Sequence, residues 1–122
     1  MKVLIIDDED DVRSVTALSL SAVGGMDVVE ASSGPEGIEM AQQEKPDAIL
    51  LDVMMPGQDG IATLARIRES EATRSIPVVL LTAKAMLFEL QRLDELGARG
   101  VITKPFDPMA LPGELRAILE KG

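Results

Sequence analysis

Four short apolar runs in this sequence each end on residues able to do chemistry. Val3-Leu4-Ile5-Ile6 stops at Asp7-Asp8, and Ile49-Leu50-Leu51 stops at Asp52. Val78-Val79-Leu80-Leu81 stops at Thr82, and Val101-Ile102-Thr103 runs into Lys104-Pro105. As parallel neighbours, these runs would bring two or three carboxylates, a hydroxyl and an ammonium to one rim. Carboxylates gathered in a cleft repel each other unless protons or a cation intervene. Oxygen ligands without imidazole or thiolate suit Mg²⁺, with Mn²⁺ as the alternative. A carboxylate is also a competent covalent nucleophile toward phosphorus. The charge spread over the transferring oxygens then needs a fixed cation and hydrogen-bond donors. The expectation is a phosphoryl-transfer site in which Asp52 accepts the group, Asp7 and Asp8 lie on the metal side, and Thr82 and Lys104 face the phosphoryl oxygens.

Singly, each residue has an ordinary explanation. Asp52 reads as a turn residue or helix cap, Asp7-Asp8 as helix-start acids, Thr82 as strand or cap chemistry and Lys104 as a surface lysine. Jointly they are harder to dismiss, because four of five expected strand ends carry the parts of one reaction.

The elements that must position them follow from periodicity. Strands are expected at about 2–7, 27–31, 48–52, 78–82 and 100–103, each too short and too β-branched for a helix. The second is less apolar and reads as an edge. Helices are expected between and after them. The first, about 10–23, should bury Val12, Val15, Ser19 and Val23 with Leu20 beside them, and Gly24-Gly25 stops it. The second runs to about Glu44, buries Ile38 and Ala41, and ends at Lys45-Pro46. The third, about 59–70, turns Leu64, Ala65 and Ile67 inward. The fourth, about 85–96, carries Met86, Leu90 and Leu93 on one face and Phe88 on the other. The fifth, about 108–120, is delayed by Pro112-Gly113 and carries Leu115, Ile118 and Leu119. Five alternating units imply an α/β fold with a parallel sheet covered on both faces. The common doubly wound order for five strands is 2-1-3-4-5, a flavodoxin-like three-layer sandwich. Its switch point lies between strands one and three, where Asp7-Asp8 and Asp52 end.

Composition sets the outer bounds. The 122 residues suffice for one domain, 1–122, with no effector domain expected beyond it. Cys and His are both absent, which excludes a disulfide framework, thiolate or imidazole ligands, and a histidine phospho-acceptor within the chain. A net charge of −9 disfavours direct binding to nucleic acid or an anionic membrane. No apolar run approaches the roughly 20 residues that span a bilayer. Met1-Lys2 leads straight into a strand, so no signal peptide is expected and a cytoplasmic location is.

With these residues in view, the chain resembles the receiver (CheY-like) domain of bacterial two-component response regulators, over essentially its whole length. The resemblance rests on Leu4-Ile5-Ile6-Asp7-Asp8, on Leu50-Leu51-Asp52 followed by Met55-Pro56 and Asp59-Gly60, on Leu80-Leu81-Thr82-Ala83, and on Gly97-Ala98 ahead of Lys104-Pro105-Phe106. It implies a phosphorelay switch, not an enzyme on other substrates, that catalyses only its own phosphorylation and slow dephosphorylation. Asp52 would take the phosphoryl group from a phosphohistidine on a sensor histidine kinase or phosphotransfer protein. Mg²⁺ would be held directly by Asp8, Asp52 and the Met54 backbone carbonyl, and by Asp7 through water. Thr82 and Lys104 would each meet a phosphoryl oxygen, and the Lys104-Pro105 peptide would be cis. Kinase docking would involve Leu18, Pro105 and Phe106. The helix four–strand five–helix five face would change affinity for a downstream output protein, with the protein a monomer or a phosphorylation-dependent dimer.

Three positions depart from that pattern or tune it. The family commonly has an aromatic three residues before the lysine, and here Val101 stands there, so the usual Thr–aromatic switch has no ring to bury. Phe88, on the outer side of helix four, is expected to share the readout. Met54 and Lys84, each two residues beyond a site residue, should hinder the attacking water and lengthen the phosphoryl lifetime. Rival readings are weaker. A haloacid-dehalogenase-type phosphohydrolase could use Asp8-Glu9-Asp10-Asp11-Val12, but the chain lacks length for a cap. A flavin site would need donors and stacking aromatics where five acids stand. A degenerate receiver would not keep this set intact.

Overall fold

The computed structural model describes residues 1–55, 58–83 and 97–121. The expected helix over 85–96, with Met86, Phe88, Leu90 and Leu93, lies outside the described residues, as do Pro56, Gly57 and Lys84.

The long strands are β1 (Lys2–Ile6), β2 (Asp27–Ala31), β3 (Ala48–Asp52), β6 (Val78–Ala83) and β7 (Gly100–Lys104), with two-residue strands β4 (Met54–Met55) and β5 (Gln58–Asp59) between them. The five long strands form one parallel sheet ordered β2-β1-β3-β6-β7. Counted over long strands this is 2-1-3-4-5, the expected doubly wound order. Edge strand β2 carries Asp27 and Glu30 outward, while β3 at the centre is buried along its whole length.

Side chains alternate across a strand, so each central strand feeds two cores. Leu4, Ile6, Ile49, Leu51, Val78 and Leu80 pack with Ala41, Leu64 and Ile67. Those partners come from α2 (Gly34–Glu44) and α3 (Gly60–Glu69). Val3, Ile5, Leu50, Val79 and Leu81 face the other way, onto Leu20, Leu111 and Leu115. Leu20 follows α1 (Asp10–Leu18), and the two other leucines belong to the C-terminal helix (Leu111–Glu120). Burying each such side chain stabilises the fold by about 1.5–3 kcal/mol. The polar strand ends can therefore be held where the apolar rows stop.

Two expected helix faces are corrected. The inward residues of helix one are Thr16, Ser19 and Leu20, whereas Val15 and Val23 are 46% and 44% exposed. The cause at Val23 is a π turn over Ser19–Val23, in which the Gly24 amide reaches back five residues to the Ser19 carbonyl. The wider turn shifts the phase of the helix. Gly24 then faces inward, where an added Cβ would lie 2.8 Å from Pro112 Cβ, and Val23 rotates out. Val15 borders an open groove beside Pro105 and Phe106. In α3 the inward stripe is Gly60, Thr63, Leu64 and Ile67, and Ala65 is exposed. That spacing of three and four residues leaves no inward place for position 65. The C-terminal helix starts at Leu111 with Pro112 in its first turn, where a missing amide costs no bond.

Candidate phosphoryl-transfer and metal site

Register brings the acids together. Ile6 pairs with Leu51 across β1 and β3, so Asp7 and Asp52 leave adjacent strands at the same level. Asp52 pairs with Leu81, and Ala83 with Lys104, which sets the hydroxyl strand and the lysine strand on the other side. One carboxylate oxygen from each of Asp7, Asp8 and Asp52 lies within 4.8 Å of the others. Asp7 and Asp52 are fully buried. The Lys104 ammonium reaches between them, 3.3 Å from Asp52 Oδ2 and 3.4 Å from Asp7 Oδ2. The Lys104-Pro105 peptide is cis, as the resemblance implied.

Local backbone fixes each carboxylate. The Glu9 amide donates to Asp7 Oδ1 at 2.9 Å, and the Met54 amide donates to Asp52 Oδ1 at 3.0 Å. Met54 thus touches the site through its N–H, while its side chain is half exposed. Behind Asp52, the Val53 amide donates to the Leu81 carbonyl at 3.0 Å, which ties the strand end to β6. Gly60 closes the cradle: a Cβ there would lie 2.6 Å from the Asp52 carbonyl oxygen and 2.6 Å from Val53 Cα.

The electrostatics are those of a site short of positive charge. Burial pushes the Asp52 carboxyl up, the Met54 amide opposes it, the Asp7 charge pushes it further and Lys104 pulls it back, leaving it at about 6 against an ordinary 3.8. Burial works against the Lys104 ammonium, but Asp52 and then Asp7 outweigh it, and its pKa stands above the ordinary lysine value. Three carboxylates against one ammonium leave two negative charges when all are ionised. Two carboxylate oxygens, Asp8 Oδ1 and Asp52 Oδ2, are buried without a hydrogen bond among the described residues. A hard divalent cation fits that set in charge and in donor type.

Not every expected participant points at Asp52. Thr82 is fully buried at the end of β6, but its hydroxyl donates weakly to the adjacent Ala83 carbonyl at 3.3 Å. Leu18 is 66% exposed on α1. Pro105 and Phe106 line a groove of about 410 Å³ with Asp11, Val12, Val15 and Lys104. One supporting residue was not picked out by sequence reasoning. Arg13 donates to the Asp7 carbonyl at 2.7 Å and pairs with Asp10 and Glu30, binding the end of β1 to α1 and β2. The hydrogen bond that Arg13 donates to Asp10, together with the charges of Asp10 and Glu30, raises the Arg13 pKa against the cost of burial. The Asp10-x-x-Arg13 spacing was the available signal.

Comparison with known proteins gives a consistent result. Residues 3–116 match the family model described as response regulator receiver domain. The alkaline phosphatase synthesis transcriptional regulatory protein PhoP of Bacillus subtilis is 38% identical over 120 residues, covering 98% of this chain and 49% of that protein. The phosphate regulon transcriptional regulatory protein PhoB of Pseudomonas aeruginosa is 38% identical over 119 residues, with 98% and 52% covered. The chain thus spans about half the length of the curated relatives it matches. Among solved structures, the chemotaxis protein CheY4 of Vibrio cholerae superposes with a TM-score of 0.87 at 30% identity, covering 96% of this chain and 97% of that one.

Proposed function

This chain belongs to the response regulator receiver domain family, and from that premise we propose that it is a phosphorylation-dependent switch whose acceptor is Asp52. The observation that carries the reading is the Asp52 carboxylate: buried, free of hydrogen bonds at Oδ2, and 3.3 Å from the Lys104 ammonium. An Asp52 oxygen attacks the phosphorus of a phosphohistidine on a sensor kinase or phosphotransfer protein. The P–N bond breaks as the P–O bond forms, and its electron pair stays on the imidazole. Lys104 balances charge on the transferred oxygens, and Thr82 turns its hydroxyl from the Ala83 carbonyl toward one of them.

Asp8 and Asp52, with their unpaired oxygens, would hold Mg²⁺ directly, together with the Met54 carbonyl. Asp7, already engaged by the Glu9 amide and Lys104, would act through water. The cation, when bound, neutralises the carboxylates and the phosphoryl oxygens and removes the repulsion that opposes approach. Chemistry stops at formation and slow loss of the acyl phosphate, so the protein is not an enzyme on other substrates. Met54, half exposed beside Asp52 in sequence, would hinder the hydrolytic water and slow that loss.

The groove between α1 and Pro105-Phe106 is apolar and lies against Lys104, which supports it as the kinase contact, with exposed Leu18 on the same helix. Output would run through β7 and the C-terminal helix, with monomer or phosphorylation-dependent dimer as the form that presents them. Half-buried Val101 and Thr103 line an open groove there with Ile118. Among the described residues no helix is long and apolar enough to cross a membrane. The test is labelling by acetyl phosphate with Mg²⁺, followed by mass mapping. Label on Asp52, abolished by Asp52→Asn, is expected. Label on Asp8, or label retained by Asp52→Asn, overturns the assignment.

A further inference from the structure

The rim opposite the carboxylates holds three arginines around one cavity. Arg68 from α3, Arg74 from the following loop and Arg99 from the entry to β7 line a space of about 410 Å³ with Ser75, Pro77, Gly97 and Ala98. None of these lining residues is acidic. Among the described residues no carboxylate pairs with any of the three guanidinium groups. In a chain of net charge −9, three cations gathered with no paired carboxylate among the described residues need a reason.

The three are held differently. Arg68 is a fixed post: its two terminal nitrogens donate to the Arg74 and Ile76 carbonyls. Its stem lies under Gly97, where an added Cβ would sit 3.0 Å from both Arg68 Cγ and Cδ. Gly97 has φ +84, a left-handed conformation that glycine adopts without strain. The Arg68 Nε is buried and has no hydrogen-bond partner among the described residues. Burial, and then the nearby charge of Arg99, lowers the Arg68 pKa, so the like charges do sense each other. Arg99 spends one donor on the Leu119 carbonyl at 3.2 Å and has others to give. Arg74 is exposed, and its backbone is the one that Arg68 pins.

We propose that this cavity is a binding site for a multivalent oxyanion of the phosphate class, gripped by the Arg74 and Arg99 forks over the fixed charge of Arg68. Guanidinium forks match tetrahedral oxyanions with paired hydrogen bonds, and a doubly charged guest relieves the repulsion among the hosts. Ser75 adds a hydroxyl at the edge. The site lies at the amino ends of β6 and β7, whereas Asp52 and Lys104 lie at the carboxyl ends, so occupancy does not require the phosphoryl site.

The probe is pyrophosphate, titrated without Mg²⁺ at low ionic strength into the ¹⁵N-labelled chain, with sodium chloride at matched ionic strength as control. Saturable amide shifts are expected at Ser75, Gly97, Ala98 and Arg99. Arg74→Ala and Arg99→Ala, both at exposed positions, should each weaken binding by about tenfold. The inference is overturned if the shifts do not saturate, if chloride reproduces them, if they centre on Asp7, Asp52 and Lys104, or if both variants bind as tightly as the wild type.

Discussion

The Lys104 ammonium stands 3.3 Å from Asp52 Oδ2, yet that oxygen accepts no hydrogen bond from it or from any other described group. Lys104 offsets part of the negative charge there while a lone pair stays available. The pair therefore tunes Asp52 without blocking it. Replacing Lys104 by Met removes a charge that holds the Asp52 carboxyl down against burial and Asp7. The Asp52 midpoint should then rise above its value of about 6, by about one pH unit. Carboxyl ¹³C shifts followed through a Mg²⁺-free titration read this directly. An unchanged or lower midpoint would show that the lysine does not act on Asp52.

A raised carboxyl pKa has a definite sign in stability. Between 3.8 and about 6 the folded chain keeps a proton on Asp52 that the unfolded chain has lost. Stability from this group therefore falls as pH rises through that window, and the loss is complete above it. Two pH units correspond to roughly 3 kcal/mol. Without Mg²⁺ at pH 7, Asp52→Asn should be more stable than the wild type by an amount of that order. The gap should close as pH falls toward 4. Urea unfolding of both proteins across this range measures the difference, and a gap independent of pH would contradict the burial account.

The same proton competes with a cation. Mg²⁺ should stabilise the wild type, by about 2.7 kcal/mol at a hundred times its Kd. Its affinity should weaken as pH drops through 6, because the ligand must be ionised. Asp8→Asn and Asp52→Asn, which alter the two unpaired oxygens, should each lose most of the thermal shift that Mg²⁺ produces. An equal shift in both variants and the wild type would move the cation elsewhere.

What could be read in the sequence and what could not divides along physical lines. Strands such as Ala48–Asp52 are legible because both faces are buried, which leaves an uninterrupted apolar run with a polar stop. The stop is the site, so Asp7, Asp52 and Lys104 were legible with it. Val23 was not, because a π turn changes the helical period and nothing in Ser19–Val23 announces one. Thr63 is not legible because apolar residue type points to Ala65, whereas the three-and-four spacing sets the inward face. Arg68 and Arg99 are not legible for another reason. Long guanidinium chains reach carbonyls far along the chain, Leu119 in the case of Arg99, and periodicity carries no trace of such bonds.

Gly60 offers a test of how closely α3 must approach the acceptor strand. A Cβ at that position would meet the Asp52 carbonyl oxygen at 2.6 Å, Val53 Cα at 2.6 Å and the Val53 carbonyl oxygen at 2.9 Å. All three are backbone atoms, so no side-chain rotamer can relieve the clash. Either α3 moves out or the end of β3 moves away. Gly60→Ala should therefore destabilise the fold by about 1–3 kcal/mol, as overpacking does elsewhere. It should also weaken Mg²⁺ binding, because the Met54 amide and Lys104 are placed to meet Asp52 where it now stands. Gly113 is the control. Nothing lies within 4 Å of its Cβ position, and it sits in the first turn of the C-terminal helix. Gly113→Ala should be neutral or stabilising by up to about 1 kcal/mol. Urea unfolding and calorimetric Mg²⁺ titration of the two variants separate the effects. If Gly60→Ala matches Gly113→Ala in both, the approach of α3 does not hold Asp52 in place.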